Sequence, residues 1–520
     1  MTNSKKDASQ EPSDADLSVD RRTFLQLGVS AAAGVVVACA DDGAVGVEGS
    51  ETGDTGDTET GGESETSGSG DGDGDPATGD GDGDPTTGDG DGDPVDDCEG
   101  TLIDFDPEAV AYDDALFPLA VMSGEMRPNS AMFTCYIEDA SPKLLRVWRP
   151  AEPGQVALIA ELEVTPSDAG YAKVTVEGLC PGTWYRYAWF DGNEEPFAGR
   201  SLIGEVRTAI EENSLEPLTV VATACNGNDF DYPAFARSIE EYYDIFLHLG
   251  DMAYNDPCET LEQYRENWKL YMQTQEFQDG FGGAGMYSTW DDHEITDNSD
   301  FDRETMDPAE LERRENAFQS YFELLPIDAE APQWRLWRSF RWGLTAEFIV
   351  LDCRYERRPS QGRYMSDEQF AWLTQVLNES PCHFKVILNS VPITNMPLLW
   401  DVAANDRWEG FPAQREALLN FIDNQQIENV WFIAGDFHVC FVSYIEAMGG
   451  SLSERTREIA MSGGNSNILG DTLTLSSNFV YGRGGPRGCL LTFDPATDSV
   501  NVRFLNEDGS EDFNEDLTQD

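Results

Sequence analysis

Basic side chains are scarce in this chain. It carries 33 Lys and Arg against 98 Asp and Glu over 520 residues, a formal net charge of −65 at pH 7. Phosphate backbones select basic surfaces, so this balance argues against stable nucleic-acid binding. Histidine is rarer still, at four residues. The apolar run Leu25 to Ala38 is too short, and too rich in Ala and Gly, to span a bilayer, which takes about 20 apolar residues. Residues 41–97 hold 20 acids, no Lys or Arg and no aromatic residue, so no core can form there. Their Asp-Gly repeats lack the helix-flanked calcium-loop pattern and its closing Glu. No Lys-Ser/Thr follows the glycine-rich stretches Ser462 to Asn465 and Gly482 to Gly485, so both read as turns rather than nucleotide loops.

What is present points to a folded, exported body. Hydrophobic residues make up 40% and aromatics 11%, too much for a disordered chain. Residues 98–520 contain 73 acids and 29 bases, so the body is acidic apart from its linker. Length allows two to four domains. Arg21-Arg22-Thr23-Phe24-Leu25 looks like a twin-arginine export signal. Val36-Val37-Ala38-Cys39 resembles a lipobox with Cys39 as the lipidated residue; the plainer alternative is a buried helix with a chance Cys. A nine-residue repeat follows, Asp71 to Pro76, Asp80 to Pro85 and Asp89 to Pro94, and reads as an extended tether. The expectation is a signal over 1–40, a linker over 41–97, and a periplasmic or cell-surface body anchored through Cys39 by lipid. The twin-arginine machinery carries folded proteins, so a metal inserted before export is expected.

Residues 98–210 show short alternating segments: Ala131–Tyr136, Lys143–Trp148, Ala157–Val164, Ala172–Val176 and Trp184–Trp189. Their spacing fits a small β-sandwich. Gly178-Leu179-Cys180-Pro181-Gly182-Thr183-Trp184-Tyr185 is similar to a turn of fibronectin type III domains. From about 211 to 510 the pattern becomes α/β. Apolar strands are expected at Leu218–Ala224, Asp244–Gly250, Met286–Thr289, Glu347–Leu351, Lys385–Asn389 and Val430–Ala434. Helices are expected over 233–243, 259–276, 307–323, 366–379 and 412–425. Ligands in such sheets bind beyond the carboxyl ends of strands.

Those ends carry the chemistry. They read Ala224-Cys225-Asn226, Gly250-Asp251-Met252-Ala253-Tyr254, Thr289-Trp290-Asp291-Asp292-His293-Glu294 followed by Asn298, and Gly435-Asp436-Phe437-His438. Carboxylates and phenolate suit Fe(III), Mn or Ca, and a thiolate suits Fe or Zn. Asp251 on its turn is placed to bridge two metals, and a metal pair clamps a phosphoryl group.

The set, with Leu351-Asp352-Cys353-Arg354-Tyr355 and Asp367 to Leu373 in support, resembles the alkaline phosphatase D (PhoD) family over about residues 215–505. That resemblance implies a four-layer metallophosphoesterase sandwich, two β-sheets flanked by helices, with a small all-β domain before it. It implies a monomeric hydrolase of small phosphate mono- or diesters. It also implies Fe(III) and Ca as cofactors, with other divalent metals as alternatives. Cys225 and Tyr254 would bind iron, and Asp251 would bridge iron and calcium. Asp291, Asp292, Asn298 and Asp436 would complete the sites. His438 would ligate or orient a ligand, His293 would protonate the leaving group, and Arg354 would hold a phosphate oxygen. Two departures stand out: Asn226 follows Cys225, and Met252-Ala253 precede Tyr254.

Each residue has a plainer reading. Cys225 is alternatively half of a disulfide, since ten Cys in an oxidising compartment leave eight, beyond Cys39 and Cys225, for up to four bridges. Tyr254 alone reads as packing, and Arg354 as the partner of a surface acid. His248 reads as a core or second-shell group and His383 as incidental. Two rival functions remain: a phosphodiesterase on lipid head groups, and a catalytically idle surface-binding lipoprotein.

Overall fold

The computed structural model describes residues 98–296, 307–328, 334–397, 400, 404–446 and 449–518. The twin-arginine pair, Cys39, the acidic tether and Asn298 lie outside the described residues.

Two sheets pack face to face. The larger runs in the order Glu511–Leu517, Ser499–Leu505, Gly488–Asp494, Leu218–Thr223, Ile245–His248, Met286–Ser288, Met122–Arg127, Ser130–Tyr136 and Tyr171–Glu177. The second runs Arg338–Trp342, Ala346–Val350, Phe384–Leu388, Val430–Ala434, Thr456–Ala460, Cys440–Tyr444 and Phe479–Arg483. The central strands of both are parallel, and their sequences are continuous apolar runs because both faces are covered.

Side-chain alternation assigns the faces. Phe348, Val350, Val386, Leu388, Trp431 and Ile433 point into the core shared with the larger sheet. Their neighbours Ile349, Leu351, Ile387, Val430 and Phe432 point the other way, onto the helices Asp367–Glu379 and Pro412–Asn424. The outer side of the larger sheet is covered by Leu261–Met272, Gln275–Gly283 and Pro308–Leu324, through Trp268, Tyr271, Phe277, Phe281, Phe318 and Tyr321. The layers are therefore helix, sheet, sheet, helix. Helix starts follow local chemistry: Ser366 accepts a hydrogen bond from the Gln369 N–H at 3.1 Å, and Thr260 with Gln263 forms a capping box.

The structure departs from the sequence expectation in three places. The stretch 259–276 is two helices, because Thr274 adopts an extended ψ of 145° and its hydroxyl donates to the Tyr271 carbonyl. Residues 98–210 do form two β-layers, the second being Thr101–Asp104, Gln155–Val164, Lys143–Pro150, Trp184–Phe190 and Gly204–Arg207. Their other three strands extend the large sheet, with Met122–Arg127 parallel to Met286–Ser288. Alternation identifies strands but not their neighbours, so the boundary near 211 does not separate the sheets. The C-terminal edge strand Glu511–Leu517 likewise lies past the expected limit at 510.

Register brings the chain ends of strands to one level. Thr223, His248 and Ser288 are paired across three adjacent strands, so the segments leaving them emerge together. Val350, Leu388, Ile433 and Ile459 are level in the second sheet.

Among the described residues one disulfide forms, Cys98–Cys180, and seven other cysteines are buried thiols. The bridge closes a separation of 82 residues, which corresponds to about 4 kcal/mol by loop entropy. Reduction of the folded protein, or Cys180→Ser, is expected to lower Tm by several degrees in a thermal melt, while reductant leaves the Tm of Cys180→Ser unchanged.

Candidate metal centre

Four loops leave the level strand ends and meet between the two sheets. Thr289 Oγ1 donates to the Leu351 carbonyl at 2.7 Å, and Trp290 Nε1 donates to Asp352 Oδ1 at 3.1 Å. The Asp436 N–H points at Cys225 Sγ at 3.1 Å, across 211 residues of sequence. Cys225, Asp251, Asp436 and His438 all have positive φ, at 51°, 55°, 71° and 56°. Non-glycine residues held this way cost about 1–3 kcal/mol each and concentrate at functional sites. Gly250, at φ 103°, lets the second loop pass Asp291, whose Cβ would lie 2.5 Å from any added Cβ.

Three overlapping trios of metal-ligand atoms result, each within 4.8 Å: Cys225, Asp251 and His438; Asp251, Asp292 and His293; Asp291, Asp292 and Asp436. Asp251 and Asp292 each belong to two trios. All but the half-buried His438 are buried, and Asp251 Oδ1, Asp291 Oδ2 and Asp436 Oδ2 have no hydrogen-bond partner. Orphaned buried carboxylate oxygens are costly, and a bound cation is the partner such a set fits. Thiolate, carboxylate and imidazole donors together suit a transition metal at the Cys225 end; an all-carboxylate trio suits a harder cation.

Titration behaviour follows the crowding. Burial, then Asp251, Asp436 and Asp291, push the Cys225 thiol well up. Burial, then Asp251 and Cys225, do the same to Tyr254. Burial and neighbouring acids raise Asp251 and Asp436 well above the carboxylate range. Asp291 rises only to about 6, since burial is opposed by Arg354. Burial would lower His293, but Asp292, Asp251 and its bond to Asp256 lift it to about 11. His438 falls to about 4 through burial.

The sequence-predicted residues converge. Tyr254 Oη lies 3.5 Å from Asp251 Oδ2 and 3.4 Å from His438 Nε2, and its ring centroid lies 4.0 Å from that of His293, tilted by 30°. His293 Nδ1 is 2.7 Å from Asp256 Oδ1. Arg354 is 1% exposed and faces Asp291, Asp292, Asp406 and Asp436. His248 is a core residue, bonded to Asn226 Oδ1 at 2.8 Å and pushed by burial to about 3. His383 pairs with Asp498, away from the centre.

Sequence reasoning missed three supporting residues. Glu294, although inside the Asp-Asp-His-Glu run, was given no role. Its carboxylate accepts from the N–H groups of Asp251 (3.0 Å), Met252 (2.6 Å) and Asp291 (2.7 Å), tying two ligand loops together. Asn465 donates to Tyr254 Oη at 2.5 Å and lies 3.3 Å from His438 Nε2. Asp406 holds Arg354 at 2.5 Å. Only Glu294 carried a sequence signal, its adjacency to the acidic run. Glu294→Gln replaces an ionic acceptor of three N–H groups by a neutral one. It is expected to weaken metal retention about tenfold to a hundredfold in an equilibrium metal-binding titration.

Comparison with known proteins places this architecture. A family model described as PhoD-like phosphatase matches residues 219–478. Alkaline phosphatase D of Bacillus subtilis (strain 168) is 26% identical over 328 residues, covering 54% of this chain and 55% of that protein. The chain thus spans about half the length of this curated relative. A solved structure of PhoD superposes with TM-score 0.66 at 20% identity, covering 78% of this chain and 89% of that one. A purple acid phosphatase, PPD1 from yellow lupin (Lupinus luteus) seeds, superposes with TM-score 0.57 at 12% identity, covering 77% and 75%. At these identities the two structures speak to the fold, the layered two-sheet sandwich that the resemblance implies. The family match covers half of the chain and includes every donor of the three trios; the chain belongs to the PhoD-like phosphatase family.

Proposed function

We propose that the protein is a metal-dependent phosphoric ester hydrolase acting on small phosphate mono- or diesters. The observation that carries this reading is the set of overlapping donor trios with unpartnered buried carboxylate oxygens. Cys225, Asp251, Tyr254 and His438 would hold one metal, for which iron fits the thiolate and phenolate. Asp291, Asp292 and Asp436, with Asn298 as the further candidate from sequence, would hold a harder ion such as calcium. Asp251 and Asp292 also share a trio with His293 and so would link the two ligand sets. When bound, the metals supply Lewis acidity and an activated oxygen nucleophile.

The chain's own residues supply position and protons. Glu294 fixes the Asp251 and Asp291 loops through three N–H groups. His293 stands against Tyr254 with Nδ1 held by Asp256, and it would deliver a proton to the leaving oxygen. Burial of the carboxylate donors would limit water around a reacting phosphoryl group.

Export by the twin-arginine route, with a lipid anchor at Cys39 and the acidic tether as spacer, completes the proposal and rests on the sequence alone. Such an enzyme would act outside the cytoplasm as a tethered body.

Two outcomes follow. Removal of metal by chelation is expected to abolish hydrolysis of chromogenic mono- and diester substrates, and added metal to restore it. Asp251→Asn is expected to lower kcat/KM by at least about a hundredfold; wild-type activity in the variant or in chelator would sink the reading. The acidic body repels polyanions over about 30 Å at 0.01 M salt but only about 8 Å at 0.15 M. Activity on polyphosphorylated substrates is therefore expected to rise with salt, and a flat or falling salt profile would refute that part.

A further inference from the structure

Two surface pockets of this protein combine aromatic rings with carboxylates, and they differ in whether the chain fills them with a cation of its own. In the first, Tyr136 and Tyr171 meet at 58° with ring centroids 5.3 Å apart. Lys269 occupies that corner: its Nζ stands 4.5 Å from the Tyr136 centroid and 2.7 Å from Glu266 Oε1. An ammonium over a ring and beside a carboxylate satisfies both.

The second pocket lies where the helix Pro233–Ile239 leads into the strand Ile245–His248. A cavity of about 440 Å³ there is lined by Trp184, Glu205, Glu241, Tyr242, Tyr243 and Asp279 among others, and by no Lys or Arg. The Asp251 loop leaves the opposite end of the same strand, so this pocket is separate from the metal donors. Trp184 and Tyr242 meet at 64° with centroids 6.3 Å apart, a corner of nearly the same shape as the first. Tyr242 is 63% exposed, more than any other described aromatic residue. Its hydroxyl turns to Asp244 Oδ1 at 2.5 Å, and that of Tyr243 to the Gly280 carbonyl at 3.3 Å. With the hydroxyls committed, rings and carboxylates are what the pocket offers.

The charge that lines it is of one sign. Glu205 is met by Arg186 Nε at 2.8 Å and Glu241 by Arg503 Nη2 at 3.3 Å, in exposed pairs that solvent screens. Asp279 accepts from the Gln275 amide at 2.8 Å and has no Lys or Arg partner among the described residues. Asp279 and Glu205 both act on the Tyr243 hydroxyl, which burial first and then these two charges raise above the ordinary phenol range.

We propose that this pocket binds a small organic cation, a quaternary ammonium group. Ring faces attract such a cation, and it needs no hydrogen-bond acceptor, whereas a primary ammonium does. The carboxylates add long-range attraction. The pocket would dock a cation-bearing molecule away from the metal donors, and the inference does not depend on the hydrolase reading. The trimethylammonium group occurs free, as choline, and on zwitterionic lipid head groups; the test separates the two.

Calorimetry at fixed ionic strength compares choline with the neutral alcohol in which carbon replaces its nitrogen. The proteins are wild type, Tyr242→Ala and Asp279→Asn, with Tm as the check on folding; both side chains lie at the surface pocket, and either variant alone carries the measurement. The expected result is saturable choline binding by wild type, weaker binding of the neutral alcohol, and choline affinity lowered about threefold to thirtyfold in each variant at unchanged Tm. Sedimentation with phosphatidylcholine vesicles then reads the source: binding that Tyr242→Ala removes assigns the lipid head group, and choline binding without vesicle binding assigns the free cation. No saturable choline binding by wild type, equal affinity for the neutral alcohol, or folded variants that bind choline as well as wild type would each overturn the proposal.

Discussion

Negative charge gathered in a dry space is the constraint on which this structure turns. Cys225, Asp251, Asp291, Asp292 and Asp436 are all buried within one neighbourhood. An isolated buried carboxylate costs several kcal/mol and each neighbour of like charge adds to that. The fold nevertheless spends positive-φ backbone on four of the loop residues that build the cluster. Such an arrangement persists only where the surroundings over-determine it. Here they do so from three sides: Glu294 from below the ligand loops, Arg354 with Asp406 from the second sheet, and Asn465 at the Tyr254 and His438 end.

The two-sheet architecture is what makes that possible. Parallel strands in register deliver loops at one level, and face-to-face packing sets the two rows of loops against each other. Neither sheet alone contains the site. Cys225 and Asp251 come from one, Arg354 and Asp436 from the other, and the contact of the Asp436 N–H with Cys225 Sγ crosses the seam. The apolar alternation of the inner strands therefore acts on chemistry indirectly, by fixing the distance across which the donors meet.

Much of this was legible in the sequence, and what escaped has a common cause. Short motifs after apolar strands identified the donors because strand, turn and ligand are local features. The large sheet's continuation into Met122–Arg127, Ser130–Tyr136 and Tyr171–Glu177 escaped because pairing partners are not written in alternation. The sequence expectation also omits Cys440–Tyr444, Thr456–Ala460, Phe479–Arg483, Gly488–Asp494 and Ser499–Leu505, although the last alternates Val500, Val502 and Phe504 with polar residues. Asp406 lies 52 residues from Arg354, and Asn465 lies 211 from Tyr254; no spacing rule links them. Of the up to four bridges that eight cysteines allow, one forms among the described residues, and burial of a thiol in a core leaves no mark in spacing that would tell which.

The departures from the family pattern are explained by where those side chains go. Asn226 follows Cys225, yet its Oδ1 turns to His248 Nε2 within the strand layer, and its N–H bonds the Asp251 carbonyl at 3.2 Å. The residue braces the two ligand loops from behind and does not enter the donor trios. Met252 and Ala253 are fully buried, with the Met252 N–H held by Glu294, so they pack the turn that presents Tyr254. Gly464 approaches so closely that an added Cβ would sit 1.9 Å from the Asn226 carbonyl oxygen. The loop after Cys225 is thus held between a core histidine and a glycine-lined turn.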